Sequence, residues 1–160
     1  MKRIRTIQEH PLFMEQYMLL QKAEKDRFFC RHTMEHFVDV ARLMYIYNLE
    51  EQAGLDKALI YAAALLHDIG RYEQIAFGTP HHLSGARIAG EILKDCGFSG
   101  EDISLIQEAI SSHRKASDET APILSRYLYR ADKQSRNCFS CPAQAECNWP
   151  DTRKNLYLTY

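Results

Sequence analysis

His67 and Asp68 stand side by side at the end of an apolar run, AAALLHDIGR, from Ala62 to Arg71. An imidazole and a carboxylate can ligate one metal ion where the chain turns. Burying the pair without a partner costs free energy that a cation would offset. Gly70 is expected to give the backbone freedom that stops the helix. Four further residues are candidates to meet the pair: His36, His81, His113 and Asp132. Imidazoles and carboxylates together suit Fe, Mn or Zn, whereas Mg prefers oxygen alone. One ion needs about four of the six. All six, with Asp68 bridging, would hold two ions roughly 3.5–4 Å apart. Such ions lower the pKa of bound water and clamp attacking and leaving oxygens. The competing reading is a helical bundle whose seven histidines are divided between surface and core.

These side chains can meet only if several helices bring them together. Thr33 is placed to cap a helix from about Met34 to Glu51. On it His36, Val40, Leu43 and Tyr47 share one face. A helix from about Asp56 to His67 carries the Ala62–Ala64 run, which allows close backbone approach. His81 and His82 open a helix through Lys94. The helix from Glu101 to His113 puts Ile106, Ile110 and His113 on one stripe. Pro122 starts a helix on which Asp132 follows Leu128 by one turn, on the apolar side. A carboxylate is rarely buried without a partner, so Asp132 is a strong anchor. Pro11 opens an earlier helix, whose polar stretch Gln21 to Arg27 is expected to be exposed. Met1 to Thr6 is expected to fray, Phe28 to Cys30 to join the core, and Tyr72 to Thr79 to form a loop. Asp151 to Tyr160 is expected to form a short docking helix. No strand-like alternation occurs, so the fold class is all-α.

Composition excludes several function classes. Lys plus Arg is 20 against 21 for Asp plus Glu, a net charge of -1, which leaves no basic nucleic-acid footprint. No apolar run is long enough to span a membrane, and MKRIRTIQEHP has no apolar signal-peptide core. A cytoplasmic protein, monomeric or homodimeric, is expected. At 160 residues and 46% hydrophobic content, the chain suits one domain with a substantial core.

The ordered residues resemble the HD-domain superfamily of metal-dependent phosphohydrolases. Its pattern is a His, then the adjacent His-Asp, then a later Asp. The first His matches His36, in His36-Phe-Val-Asp-Val40-Ala41, the pair matches His67-Asp68 in LLHDIGR, and the last Asp matches Asp132 in YRADKQSR. The two extra histidines of a dinuclear, six-ligand subgroup match His81 in HHLSGA and His113 in SSHR. His82 competes with His81, but the family's ligand stands four residues before the Gly-Ala step, which favours His81. The resemblance covers about Cys30 to Arg136. It implies one HD-domain helical bundle over residues 1–160, with 137–160 a cysteine-containing extension, and one or two divalent ions of Fe, Mn, Zn or Co. It further implies hydrolysis of a nucleotide or other small phosphate ester or anhydride. His32, one turn before His36, is the acid/base or substrate-contact candidate. Arg71 stands where many relatives carry a basic residue, and its planar fork suits a phosphate. Arg114, Lys115, Lys133 and Arg136 are further phosphate candidates. A minority of the superfamily are diiron oxygenases sharing the six ligands. A non-catalytic nucleotide- or partner-binding module is the remaining alternative.

Five cysteines are unevenly spread. Their odd number and spread make a poor disulfide framework, and Cys138-x2-Cys141-x5-Cys147 would supply three thiolates of a tetrahedral zinc site. Cys30 is the natural fourth ligand if packing brings it near. An iron–sulfur cluster and three idle reduced thiols are the competing readings. The cysteine segment follows Asp132 closely enough to close one side of the pocket.

Overall fold

The helix that ends at the His-Asp pair lies at the centre of the molecule. This helix, α4 (Lys57–Leu66), starts from Asp56, whose Oδ1 accepts the N–H groups of Ala58 at 2.8 Å and Leu59 at 3.2 Å. Eight of its ten residues are buried. A helix that is apolar on every side has to be enclosed by others. The computed structural model describes residues 1–114 and 119–160. In it α1 (Lys2–Gln8), α3 (Met34–Glu50), α6 (His81–Asp95), α7 (Gly100–Ser112) and α8 (Ile123–Gln134) all pack on α4. Ala62, Ala63 and Ala64 are fully buried, and their small side chains admit these neighbours. Two more helices, α2 (Pro11–Ala23) and α5 (Arg71–Phe77), pack on each other and on α6. Two 3-10 turns, Cys138–Ser140 and Asp151–Arg153, follow α8, and no strand occurs among the described residues. The all-α expectation therefore holds.

Local chemistry sets the helix ends. Thr33 Oγ1 accepts the His36 N–H at 3.4 Å, fixing the start of α3. The Asn48 side chain accepts from Leu55 N at 2.8 Å and donates to Leu55 O at 3.3 Å, clipping α3 to the entry of α4. Ser99 and Asp102 form a capping box at the start of α7. Between α3 and α8, Tyr47 and Tyr127 are buried edge to face, and the Tyr127 hydroxyl donates to Glu51 at 2.8 Å.

Four expectations need correction. Met1 to Thr6 does not fray: Met1 caps α1 and Lys2 to Thr6 belong to it, because Ile4 and Ile7 are buried and Arg3 bridges Asp56 and Asp102, each at 3.3 Å. Residues Arg71 to Phe77 form α5 rather than a loop, ended by Gly78 at φ +76°. Phe28, Phe29 and Cys30 are exposed, not core. Beyond the turn at Asp151–Arg153 the C-terminal segment is irregular, and there is no docking helix.

Candidate metal centre

Helix ends converge on one point. His67 is the C-cap of α4 and Asp68 follows it in the turn to α5, where the Asp68 carbonyl accepts the Arg71 N–H at 3.0 Å. His36 lies in the first turn of α3, His81 is the first residue of α6, His113 is the C-cap of α7, and Asp132 is in the last turn of α8. All six are buried.

Asp68 is the hub. Its Oδ2 lies 3.2 Å from His67 Nε2, 3.5 Å from His32 Nε2 and 3.9 Å from His36 Nε2. Its Oδ1 lies 3.3 Å from His81 Nε2 and 3.6 Å from His113 Nε2, and accepts from Arg71 Nε at 3.0 Å. Asp132 Oδ1 stands 3.4 Å from His36 Nε2 and 3.7 Å from His67 Nε2. Two groups have all their donor atoms within 4.8 Å of one another: His36, His67, Asp68 and Asp132, and Asp68, His81 and His113. Asp68 belongs to both.

The arrangement fits cations. His67 Nδ1 donates to the Ala64 carbonyl at 2.7 Å, and His113 Nδ1 to the Ile110 carbonyl at 2.6 Å. His81 Nδ1 donates to Gln74 Oε1, and His36 Nδ1 to Ser135 Oγ at 3.1 Å. With each Nδ1 spent as a donor, each Nε2 is turned to the centre, where Arg136 donates to that of His36 at 3.0 Å, and outer contacts of this kind orient metal ligands. His81 and His113 then present two lone pairs to each other at 3.2 Å. His67 Nε2 and Asp68 Oδ2 are buried and lack any partner in hydrogen-bond geometry. Ions held by the two groups would satisfy all of these atoms.

Electrostatics agree. Burial opposes charge on Asp68, but His67, Arg71 and His32 outweigh it and hold the carboxyl well below its usual range. Burial likewise opposes charge on Asp132, and the neighbouring His36, His67 and Lys133 hold it well below its usual range. Burial works against protonation of His67, yet Asp68 and Asp132 raise it to about 9. Burial pushes His36 down to about 3 and His81 down to about 2. These shifts set the pH dependence of the metal-free protein. Below about pH 6.5 the unfolded chain protonates histidines that stay neutral at positions 36 and 81 when folded, so stability falls with pH. The His67 contribution is fully present below about 6.5 and is lost as pH rises through about 9. Chelator-treated protein should therefore have its highest melting temperature between about pH 6.5 and 7.5, with a fall on either side. A melting temperature that stays level from there down to about pH 4.5 would contradict the buried neutral imidazoles.

Beside the centre lies a cavity of about 450 Å³, lined by His32, Arg71, Arg114, Asp132, Lys133 and Arg136 among others. Arg71 is spent at Nε on Asp68. Lys133 pairs with Asp132 Oδ2. Arg136 donates to the Arg31 carbonyl at 2.9 Å and to His36 Nε2 at 3.0 Å, so both its terminal nitrogens already have partners. Arg114 is exposed at the rim. Lys115 lies outside the described residues.

Sequence reasoning missed three groups. Glu24, in the stretch expected to be exposed, is 2% exposed. Its Oε1 accepts from His32 Nδ1 at 2.6 Å and its Oε2 from His32 N at 2.8 Å, which aims His32 Nε2 at Asp68. Gln74 and Ser135 orient His81 and His36. No spacing rule connects Glu24 to His32, because their contact crosses the turn after α2. Gly70 was also misread: its φ is −81° and ψ 0°, open to any residue, so its role is space rather than backbone freedom.

An all-helical domain with a buried His/Asp centre at its helix ends is thereby defined. The sequence profile of the HD domain matches residues 33–137, and the chain belongs to that family. An uncharacterized protein of Clostridium beijerinckii is 45% identical over 140 residues, 88% of this chain and 87% of the other. A bifunctional uridylyltransferase/uridylyl-removing enzyme of Ruegeria pomeroyi is 30% identical over 97 residues, 54% of this chain but only 10% of that enzyme. Among solved structures, a predicted HD superfamily hydrolase from an uncultured Thermotogales bacterium superposes with a TM-score of 0.61 at 26% identity, over 89% of this chain and 81% of the other. No helix among the described residues is long and apolar enough to cross a membrane.

Proposed function

We propose that this chain is a metal-dependent phosphohydrolase with two ion positions, acting on a nucleotide or another small phosphate ester or anhydride. The observation that carries the reading is Asp68, one carboxylate shared by two buried ligand groups beside a cavity with an arginine at its edge. His36, His67, Asp68 and Asp132 would hold one ion, and Asp68, His81 and His113 the other. When bound, such ions polarise phosphoryl oxygens and lower the pKa of water.

The remaining steps fall to the chain's own side chains. Arg71 is anchored at Nε by Asp68, which leaves its terminal nitrogens to bind a phosphate oxygen from the cavity side. Arg114 at the rim attracts the anionic substrate. His32, held by Glu24, keeps Nδ1 protonated and turns Nε2 inward. That nitrogen can take a proton from water and pass it to the leaving oxygen, while the Glu24 carboxylate stabilises the transient imidazolium. The likeness to a predicted HD hydrolase supports hydrolysis, and the uridylyl-removing relative supports nucleotide chemistry.

One panel tests the reading. Metal-reconstituted protein is offered nucleotides, dinucleoside polyphosphates and simple phosphomonoesters, with phosphate release and oxygen uptake both followed. Phosphate release with Mn or Co in the absence of oxygen is the expected result. Oxygen uptake with iron and no phosphate release would move the protein to the oxygenases. Tight nucleotide binding without product in any metal form would make it a binding module.

A further inference from the structure

Cys30, Cys138, Cys141 and Cys147 line the same cavity as His32 and Arg71, and all four are free thiols. Cys30 comes from the segment before α3, the other three from the chain after α8. Burial pushes the Cys30 thiol up, and thiolates at Cys141, Cys138 and Cys147 would add to that push. Hydrogen bonds order both segments, and the one from Arg136 to Arg31 joins them. Arg136 donates to the Arg31 carbonyl at 2.9 Å and Arg27 to the Cys30 carbonyl at 2.9 Å. Asn155 Nδ2 donates to the carbonyls of Lys133 at 2.7 Å and Arg136 at 2.9 Å. After α8, three successive turns run from Cys138 to Cys141, Gln144 and Cys147, with N–H···O distances of 3.2, 3.2 and 3.4 Å. These three-residue steps keep the cysteines on the cavity side.

Residues 137–160 bury only Cys138 and Ala143. So little apolar burial does not hold an irregular segment of this length in place, and small folds lacking a core rely on a metal or a disulfide instead. We propose that Cys30, Cys138, Cys141 and Cys147 bind one zinc ion, which fastens residues 137–160 over the cavity beside the His/Asp centre. Four soft thiolates suit zinc. A tetrahedral site with Zn–S of about 2.3 Å brings the sulfurs to about 3.8 Å from one another. The four sulfurs are not among the groups gathered within 4.8 Å, so binding draws Cys30 and the C-terminal turns together and narrows the cavity.

The site is independent of the reaction at the His/Asp centre, and its test uses no activity. Full-length protein is purified without chelator, as wild type and as Asp68→Asn, which empties the His/Asp centre. Asp68→Asn should keep one equivalent of zinc, and Asp68→Asn combined with Cys30→Ser should keep none. Replacing zinc by cobalt should give thiolate-to-cobalt charge-transfer absorption in wild type and in Asp68→Asn. That absorption should vanish in Cys30→Ser and in the triple variant Cys138→Ser/Cys141→Ser/Cys147→Ser. Cys30 is exposed, so its variant reports even if the triple variant fails to fold. Zinc retained by the folded Asp68→Asn/Cys30→Ser variant, absence of the cobalt–thiolate band in wild type, or a brown chromophore with acid-labile sulfide would each overturn the proposal.

Discussion

Asp68→Asn is expected to empty both ion positions and to lower turnover by about 10³-fold or more, an effect of roughly 4 kcal/mol on the barrier. Asp68 is the one residue common to the two ligand groups. Its Oδ2 serves the His36/His67 side and its Oδ1 the His81/His113 side. Removing a single histidine should cost one ion at most, so His113→Ala should leave the His36/His67/Asp132 group able to load. Asn at position 68 keeps the shape and removes the charge that offsets the surrounding imidazoles and Arg71. The amide also leaves Arg71 Nε with a weaker partner, which would loosen the fork proposed to bind phosphate. Elemental analysis of the purified variant, with circular dichroism to show that the helices persist, checks the first half. Phosphate release under saturating metal checks the second. A variant that retains wild-type metal content would remove Asp68 from the ligand set.

The residues that gather at the candidate centre were legible because each combines a polar type with a buried register. His36 shares the stripe of Val40 and Tyr47, His113 follows Ile106 and Ile110, and Asp132 follows Leu128. Helix periodicity carries that information within a single element. What the sequence could not disclose are contacts between elements. Glu24 sits in a polar stretch, and only the packing of α2 against the segment before α3 turns it inward. Arg136 reads as a phosphate ligand by its charge, yet its nitrogens meet His36 and the Arg31 carbonyl. Both outcomes depend on partners about a hundred residues away or across a turn, where no period applies.

The long helices were legible for the same reason, and the short ones were not. The seven-residue α1 and α5 are too short to be stable alone. The first is held by two buried isoleucines and the Arg3 bridges. The second buries no residue of its own and persists through docking on α2 and α6. Neither has an apolar stripe long enough to announce itself. The extension after α8 lacks a stripe altogether, and it meets the end of α8 through hydrogen bonds from the Asn155 side-chain amide to the Lys133 and Arg136 carbonyls.

Gly70→Ala should destabilise the protein by about 3 kcal/mol or more, at the upper end of the cost of overpacking. The backbone at Gly70 is ordinary for an alanine, so none of this cost is conformational. It comes from space. A Cβ at Gly70 would meet Gly85 N, His81 O and Ser84 Oγ, all under 3.0 Å. Two of these are backbone atoms of α6 and cannot rotate away. The first turn of α6 would have to retreat, taking His81 with it. It would also strain the bond from Ser84 Oγ to the Gly70 carbonyl, 3.2 Å long. The ion shared by Asp68, His81 and His113 should therefore be lost, while the His36/His67/Asp132 side still loads. Gly78→Ala is the control. Gly78 has φ +76° and nothing within 4 Å of a new Cβ, so that change should cost about 1 kcal/mol of backbone strain and leave metal content intact. Urea unfolding and metal titration of the two variants separate the effects. If Gly70→Ala proves no less stable than Gly78→Ala and binds both ions, the close approach of α6 to the His67–Gly70 turn does not hold His81 in place.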